Sequence, residues 1–508
     1  MNNRLPKASV DGRASPAPDP QLRGTRGAPG RGAFRVFAVL AWLSLIAPTA
    51  QASAPDAAPR RPIEILSSSN GLPSQPLSMA DAINLALKRN PSILRAQKDM
   101  EAAQGIVVET RAIVIPKLGV SGNYAAVERS DVDILSVPAA VFTNGFPGRT
   151  GTSFGNDQNW GSQLKLVQSI YEGGRMLSAL RAARLTREQS LLNFQTTLAD
   201  TVLAVETAYD DVLLDREQIG VQEASVELLT REFEDTTRRF DAGTVPRFNV
   251  LRAEVELANA RPKLIRARND FRIAKNNLAN LLGCNLPPQM LEDIPLTLRD
   301  KLEAEPYPME LPRAIAMALE RRTELGSLRK TQALRREDIA TAKAGYKPSV
   351  QLYAGYDAHN SVLTPDLAVV DHGWIAGAQL SWNIFDGFRA QGRVKETTAL
   401  YERAGIDLED TGRRIELEVR TAYSNFIEAD ETLRSQQKVV AEAEEALRLA
   451  RARNEAGTGT QLDVLSAQTA LTDARTTNVQ ALHDYAVARA RLERAVGLNI
   501  PGAAAAGP

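Results

Sequence analysis

The sequence predicts a mainly α protein with a small β part, in which long antiparallel helices pack as coiled coils and four strands per chain join a barrel that one chain cannot close. Three observations predict it: one unit is written twice, residues 175–241 and 389–455 contain no proline, and short alternating segments lie between the helices.

The repeat is found by laying the chain on itself. Ala82-Ile83-Asn84-Leu85-Ala86-Leu87-Lys88-Arg89 aligns with Ala314-Ile315-Ala316-Met317-Ala318-Leu319-Glu320-Arg321 at an offset of 314 − 82 = 232, and Pro116 meets Pro348 at the same offset. Beyond the first strands the offset becomes 214. Trp160 then meets Trp374, Ile170-Tyr171-Glu172-Gly173 meets Ile384-Phe385-Asp386-Gly387, and Thr207-Ala208-Tyr209 meets Thr421-Ala422-Tyr423. Ala242-Gly243-Thr244 meets Ala456-Gly457-Thr458, and Gly283 and Pro287 meet Gly497 and Pro501. The difference of 18 residues falls between Tyr124 and Trp160, in a stretch rich in Gly, Pro, Ser and Asn. An insertion confined to one place predicts an exposed loop. These matches divide the chain into a leader with signal peptide (residues 1–54), an N-terminal extension (55–76), a first repeat (77–290), a linker (291–308), a second repeat (309–502) and a tail (503–508).

The leader is set apart by Arg31 and Arg35 before an apolar run from Phe37 to Ala47, followed by Ala50-Gln51-Ala52 and Ala52-Ser53-Ala54, two overlapping small-x-small cleavage sites. The run is well short of the ~20 residues of a spanning helix. Nothing later in the chain reaches that length, so no transmembrane helix is expected. No cysteine stands directly after the cleavage sites, so no N-terminal lipid anchor on the mature chain is expected either.

Each repeat then reads as helix, strand, loop, strand, very long helix, turn, helix. The first helix is expected from about Ser78 to before Pro116, with Asp81 in its first turn, and its counterpart from about Pro312 to before Pro348. The strands after Pro116 and Pro348 alternate weakly, Leu118, Val120 and Tyr124 matching Val350, Leu352 and Tyr356. The second strands alternate clearly. Trp374, Ala376, Ala378, Leu380, Trp382 and Ile384 share one face opposite Gly377, Gln379, Ser381 and Asn383, and Trp160, Leu164, Leu166 and Ile170 repeat the pattern opposite Gln163, Lys165 and Ser169. A half-buried ordinary sheet would alternate in the same way. Segments of about ten residues with aromatic ends fit a barrel crossing ~25 Å of lipid, and a membrane barrel needs at least eight strands, so several chains must share it.

The proline-free stretches, rich in Ala, Leu, Glu, Arg and Gln, each predict one helix of ~100 Å at 1.5 Å per residue. Leu, Ala and Val spaced three to four apart point to coiled-coil packing. The turns after them, Ala242 to Asn249 and Ala456 to Asp463, predict a glycine cap followed by a capped restart. Pro262 predicts a kink in the first returning helix; its counterpart is Thr476.

The 508 residues, 44% hydrophobic and 24% charged, exclude disorder. Lys plus Arg and Asp plus Glu both number 61, which gives no global field for nucleic acid. Cys284 is alone, and His359, His372 and His483 are scattered. With no histidine ligand pair, no Gly-rich phosphate loop beside a strand and no doubled carboxylate in a predicted pocket, no catalytic residue, cofactor or metal is expected.

Over residues 77–501 the chain resembles the TolC-type outer-membrane efflux proteins. The residues that carry the likeness are Ala82-Ile83 with Leu87, Arg89, Asn90 and Pro91, the two Ile-aromatic-acid-Gly turns, and the two Arg-x-x-x-Ala-Gly-Thr turns leading into Asn249-Val250-Leu251 and Asp463-Val464-Leu465. Each is weak alone; their order, doubled at constant offset, is specific. The resemblance implies a homotrimer whose protomers give four strands each to one twelve-stranded β-barrel in outer-membrane lipid, with the helices forming a periplasmic α-barrel. It also implies partnership with a periplasmic adaptor (membrane fusion protein) and an inner-membrane pump, proton-driven or of the ATP-binding cassette type.

By the same resemblance Gly243, Thr244, Gly457 and Thr458 sit at the periplasmic tip where the adaptor docks, or serve only as helix-ending turns. Asp463 matches an acid that rings the closed tip in some members, and three copies would disfavour anions and raise one another's pKa. Alternatively it is an acid favoured at a helix start. Ser466, Gly459 and Asn454 stand where the family can carry a second acid, an arginine and a tyrosine, which puts a gate of that kind in doubt. The expected function is a passive duct for efflux or type I secretion, exported by its signal peptide; the alternative is a structural coiled-coil protein of the periplasm.

Overall fold

The computed structural model describes residues 71, 75–128, 135–137, 152–154, 157–285, 293–361 and 367–499. Met1–Ser67 and Ser68–Pro508 are separate units, and everything described belongs to the second. The leader and signal peptide and the C-terminal tail lie outside the described residues.

In chain order the elements are α1 (Met79–Arg89), α2 (Pro91–Arg111), β1 (Lys117–Ala126), β2 (Leu135–Val137), β3 (Thr152–Phe154), β4 (Gln158–Glu172), α3 (Arg175–Asp241), α4 (Arg247–Leu281), α5 (Leu311–Arg321), α6 (Thr323–Lys343), β5 (Ser349–Asn360), β6 (Val370–Ser381), α7 (Arg389–Glu455) and α8 (Gln461–Val496). The long helices α3 and α7 have 67 residues each, or ~100 Å, as the absence of proline predicts. Helix α4 runs through Pro262 without interruption. Among the described residues no helix is long and apolar enough to cross a membrane.

The single helix expected before each first strand is in fact two. Ser78 and Asp81 open α1 with a capping box, but Asn90 is extended (ψ 126°) and breaks the chain. Pro91 is the reason, since its ring disfavours the α conformation in the residue before it while suiting the first turn of α2. In the second repeat Arg322 breaks α5 from α6 at φ −62° and ψ 119° with no proline to force it. The two breaks are equivalent (322 − 90 = 232) and are held alike. Asn90 Nδ2 donates to Leu281 O at 2.7 Å, and Arg322 Nη1 donates to Ala495 O at 3.2 Å, the equivalent carbonyl (495 − 281 = 214).

The loop expected between Tyr124 and Trp160 carries a short ribbon, β2 pairing antiparallel with β3. Residues 129–134, 138–151 and 155–156 of that loop, and so its exposure, lie outside the described residues. The other four strands form one antiparallel sheet in the order β1-β4-β5-β6. Trp382 and Ile384, expected on a strand, lie beyond β6. Ser349↔Ser381 is the last pair of the β5–β6 ladder, because Pro348 has no N–H to continue it.

Each repeat builds its own core. In the first, Tyr209, Leu213, Leu278 and Leu282 are fully buried, and Tyr209 Oη donates to Leu77 O (2.9 Å) and contacts Asp300 Oδ2 (3.0 Å). In the second, Val419, Phe426, Tyr485 and Leu492 pack together, with the Phe426 and Tyr485 rings 5.3 Å apart. Burying each large side chain is worth about 1.5–3 kcal/mol.

Acids line the seam between the two cores, where α3 meets α8. Burial first, then the Glu493 charge, lifts Glu206 to about 7. Burial lifts Asp210 to about 7, and burial with Asp270 and Asp211 lifts Asp215 to about 6. His483 lies between Asp211 (2.8 Å) and Asp484 (3.2 Å); burial opposes its charge, but these two bonds outweigh it and raise its pKa. The three carboxyls hold protons in the folded state that the unfolded chain releases near pH 4, so their contribution falls as pH rises from there through about 6–7, and His483, raised above its ordinary value, adds to the fall above about pH 6.5. The thermal midpoint at pH 6 is therefore expected to exceed that at pH 8 by roughly 3 °C or more. The pair E206Q and D210N should flatten this difference, and a midpoint higher at pH 8 would contradict it.

Candidate functional site

Two regions carry the chemistry: the turns at the far ends of the long helices and the sheet at their near ends. Both turns close their helix in the same way. Gly243 has φ 76° and Gly457 φ 73°, the left-handed region that glycine enters without cost. Gly243 N donates to Phe240 O (2.8 Å) and Thr244 N to Arg239 O (2.8 Å); Gly457 N donates to Asn454 O (3.1 Å) and Thr458 N to Arg453 O (2.9 Å). These are the paired bonds of a Schellman cap. Each threonine hydroxyl adds a bond to the same carbonyl, at 2.8 Å from Thr244 and 3.3 Å from Thr458. All four residues are exposed, and a Cβ at either glycine would meet nothing within 4 Å.

The restarts differ, which corrects the expectation of two capped turns. Pro246 opens α4 with no side-chain cap, since proline has no side-chain oxygen to accept the bond. Thr460 opens α8 with a capping box: its Oγ1 accepts from Asp463 N (3.2 Å), and Asp463 Oδ2 accepts from Thr460 N (2.9 Å) and Oγ1 (2.8 Å). The backbone bond, then the hydroxyl bond, hold the Asp463 carboxyl below the usual carboxylate range. Gly459 has no room for a side chain, since a Cβ there would lie 2.9 Å from Arg453 Cβ. The first turn also exposes Phe240, Phe248 and Leu251, whose apolar surface the turn motif did not signal.

The sheet is apolar on one face and polar on the other. Register places Leu118, Val120, Tyr124, Trp160, Leu164, Leu166, Leu352, Tyr356, Trp374 and Leu380 on one side. Trp374 is 84% exposed, Val120 77%, and Leu118 and Leu380 67% each. The Tyr356 and Trp374 rings meet edge to face at 5.2 Å. The other side carries Gln163, Lys165, Gly355, Asp357, His359, Gly373 and Gly377. Gly377 makes room for Tyr353, whose hydroxyl lies 2.6 Å from where a Cβ would stand, and Lys165 Nζ sits 4.9 Å from the centre of that ring. Among the described residues both outer strands, β1 and β6, have a free edge, and every residue of β1 is exposed. A long apolar edge of this kind is a template for another chain. Among the described residues no His, Cys, Asp and Glu group could hold a metal.

Comparison with known proteins agrees with this geometry. A family model described as outer membrane efflux protein matches residues 82–284 and 314–498, well over half of the chain and one segment in each repeat. The outer membrane protein TolC of Escherichia coli is 24% identical over 438 residues, covering 84% of this chain and 83% of that protein. The alkaline protease secretion protein AprF of Pseudomonas aeruginosa is 25% identical over 429 residues, covering 83% and 85%. Among solved structures, the CmeC outer membrane channel of Campylobacter jejuni superposes with a TM-score of 0.68 at 15% identity, over 83% of this chain and 86% of that one. The open state of the MtrE outer membrane channel of Neisseria gonorrhoeae gives 0.66 at 19% identity, over 82% and 88%.

Proposed function

Because the chain belongs to the outer membrane efflux protein family, we propose that it is one protomer of a trimeric outer-membrane duct that passively conducts substrates through the periplasm to the exterior. The observation that carries this reading is the sheet: four strands, two free edges and one apolar face exposed in the single chain. Strands of 10–15 residues are long enough for the ~25 Å of an outer-membrane barrel. Three copies would supply twelve strands, satisfy every edge, turn the apolar face to lipid and enclose the Lys165 and Asp357 face as an aqueous lumen. A structural coiled-coil protein would have no use for such a sheet.

The partners in this reading are a periplasmic adaptor, docking on the turns of Gly243, Thr244, Gly457 and Thr458, and an inner-membrane pump, proton-driven or of the ATP-binding cassette type. Asp463 would ring the axis in three copies and disfavour anions at the constriction. Its capping bonds supply a structural use for the same carboxylate, and both uses can hold together. The duct itself performs no chemistry. Purified in detergent, the mature protein is expected to run as a trimer and to open discrete conductances in planar bilayers. A monomer, or a trimer with no conductance, would overturn the reading.

A further inference from the structure

On the polar face of the sheet the charged groups are sorted by depth. Lys117 and Glu172 stand at the helix-side ends of β1 and β4, Lys165 stands midway along β4 opposite Gly355 of β5, and Asp357, His359 and Asp371 lie further out. Asp357 pairs with Gln163, so it lies 165 − 163 = 2 residues beyond the Lys165 level, or ~7 Å at ~3.4 Å per residue. The outer acids have a neighbour of their own. His359 Nδ1 is 3.0 Å from Asp357 Oδ2, and Asp371 pairs in register with His359. Among the described residues no carboxylate pairs with Lys165, whose Nζ stands over the Tyr353 ring instead.

The neighbouring positions leave this lysine uncrowded. In register it is flanked by Gly119 on β1 and Gly355 on β5, so neither strand sets a side chain beside it. Packing accounts for only one of these glycines. A Cβ on Gly355 would lie 2.5 Å from Leu164 O, which excludes a side chain, whereas a Cβ on Gly119 would meet nothing within 4 Å. Open space next to the ammonium is what Gly119 supplies. Tyr353 leans over β6 because its partner in register there is Gly377, and any side chain at 377 would push the ring away. A cation–π contact steadies a flexible lysine stem without neutralising its charge. The second repeat carries Gln379 at the equivalent place (379 − 165 = 214), so each chain brings one such cation.

Twelve strands ~4.8 Å apart and tilted by ~40° close a barrel ~24 Å across between backbones. An ammonium near the wall of such a pore acts on most of its cross-section, since its field reaches ~10 Å in ~0.1 M salt. Rings of lysine in pores favour anions and phosphates. We propose that Lys165, steadied by Tyr353 in the space that Gly377 leaves, determines which charges pass the barrel: three copies form a cationic ring midway along the lumen that attracts the carboxylate, phosphate or sulfonate groups of passing substrate and opposes multivalent cations. Asp357 and Asp371, nearer the outer end, have the opposite sign, so the most favourable level for an anionic group is that of Lys165. The proposal rests on the reading of the sheet as a barrel whose polar face lines an aqueous lumen.

The test uses trimers of the mature chain in planar bilayers at about 0.1 M KCl, where charges across the lumen are least screened, with inositol hexakisphosphate added on the barrel side. The polyanion is expected to block the open channel, more deeply at the voltage that draws it inward. K165Q should raise the blocking concentration about tenfold and move the reversal potential in a KCl gradient toward that of potassium, while K165R keeps both. Y353L keeps the charge but loses the ring beneath it, and should raise the blocking concentration about threefold. D357N removes an acid further out and should leave the block as strong or stronger. K165C with C284A makes the comparison independent of folding, because it is modified after insertion: a methanethiosulfonate that adds an ammonium should restore the block, and one that adds a sulfonate should abolish it. Equal block in K165Q and the parent, equal block after the two modifications, or no block in the parent would overturn the ring while the duct stands. Parent trimers that open no conductance would overturn both.

Discussion

Leucine at both Gly243 and Gly457 is expected to abolish export in a complementation assay while the protein still inserts in the outer membrane as a trimer. The strain is about 1–2 kcal/mol per site, from the Cβ in left-handed backbone. That is small beside the burial of two cores and far from the sheet. The Cβ itself meets nothing within 4 Å, so no packing inside the chain is lost. What changes is the exposed surface of the turn, and a large loss of export would therefore report on something that docks there. G243N with G457N is the control, because asparagine tolerates the left-handed region and keeps a small polar surface; it should retain most of the export. Wild-type substrate sensitivity in the double leucine variant would show the turns to be helix ends and nothing more.

Much of the architecture could be read before folding because it depends on local rules. The long helices follow from stretches without proline, and the glycine caps from Ala-Gly-Thr placed at both helix ends. What escaped was nonlocal or depended on where a partner stops. Asn90-Pro91 announced its break in the ordinary way, but Arg322 has no neighbour that forces one, and its reason lies in carbonyls of α8 far along the chain. Alternation carried on through Trp382 and Ile384 because a side-chain pattern does not record the end of the opposing ladder, which Pro348 sets. The unequal restarts were visible in principle: Thr460 stands three residues before Asp463, whereas Pro246 has no side-chain acceptor. At the candidate site the turn residues could be placed from sequence. The exposed Phe240, Phe248 and Leu251 beside the first turn could not, since exposure is not written in residue type.

Removing the Arg322 side chain is expected to be among the most destabilising single changes. Arg322 is 7% exposed and forks onto Glu418, with Nη1 and Nη2 each 3.0 Å from one carboxylate oxygen, while Nε reaches Glu324 at 3.0 Å. Glu324 in turn meets Arg494 at 2.6 Å, and Arg494 reaches Asp200 at 2.8 Å. The chain of charges Glu418–Arg322–Glu324–Arg494–Asp200 thus runs through α7, α6, α8 and α3 and fixes the point where the second repeat meets the first. Such a network gains little over apolar packing when whole, but losing one member strands the others. R322A should cost about 3 kcal/mol, the low end for a broken buried pair, because Glu418 stays half exposed. It also removes the bond from Arg322 Nη1 to the Ala495 carbonyl, while the Arg494 carbonyl keeps its bond from Gly497 N. R322N separates the two losses: it copies Asn90, which serves the equivalent carbonyl in the first repeat, but leaves Glu418 without its cation and Glu324 with Arg494 alone. The thermal midpoint of the trimer should therefore fall most for R322A and less for R322N, and E418Q added to R322A should recover part of the loss. Equal midpoints for R322A and the parent would show that packing alone holds the four helices together.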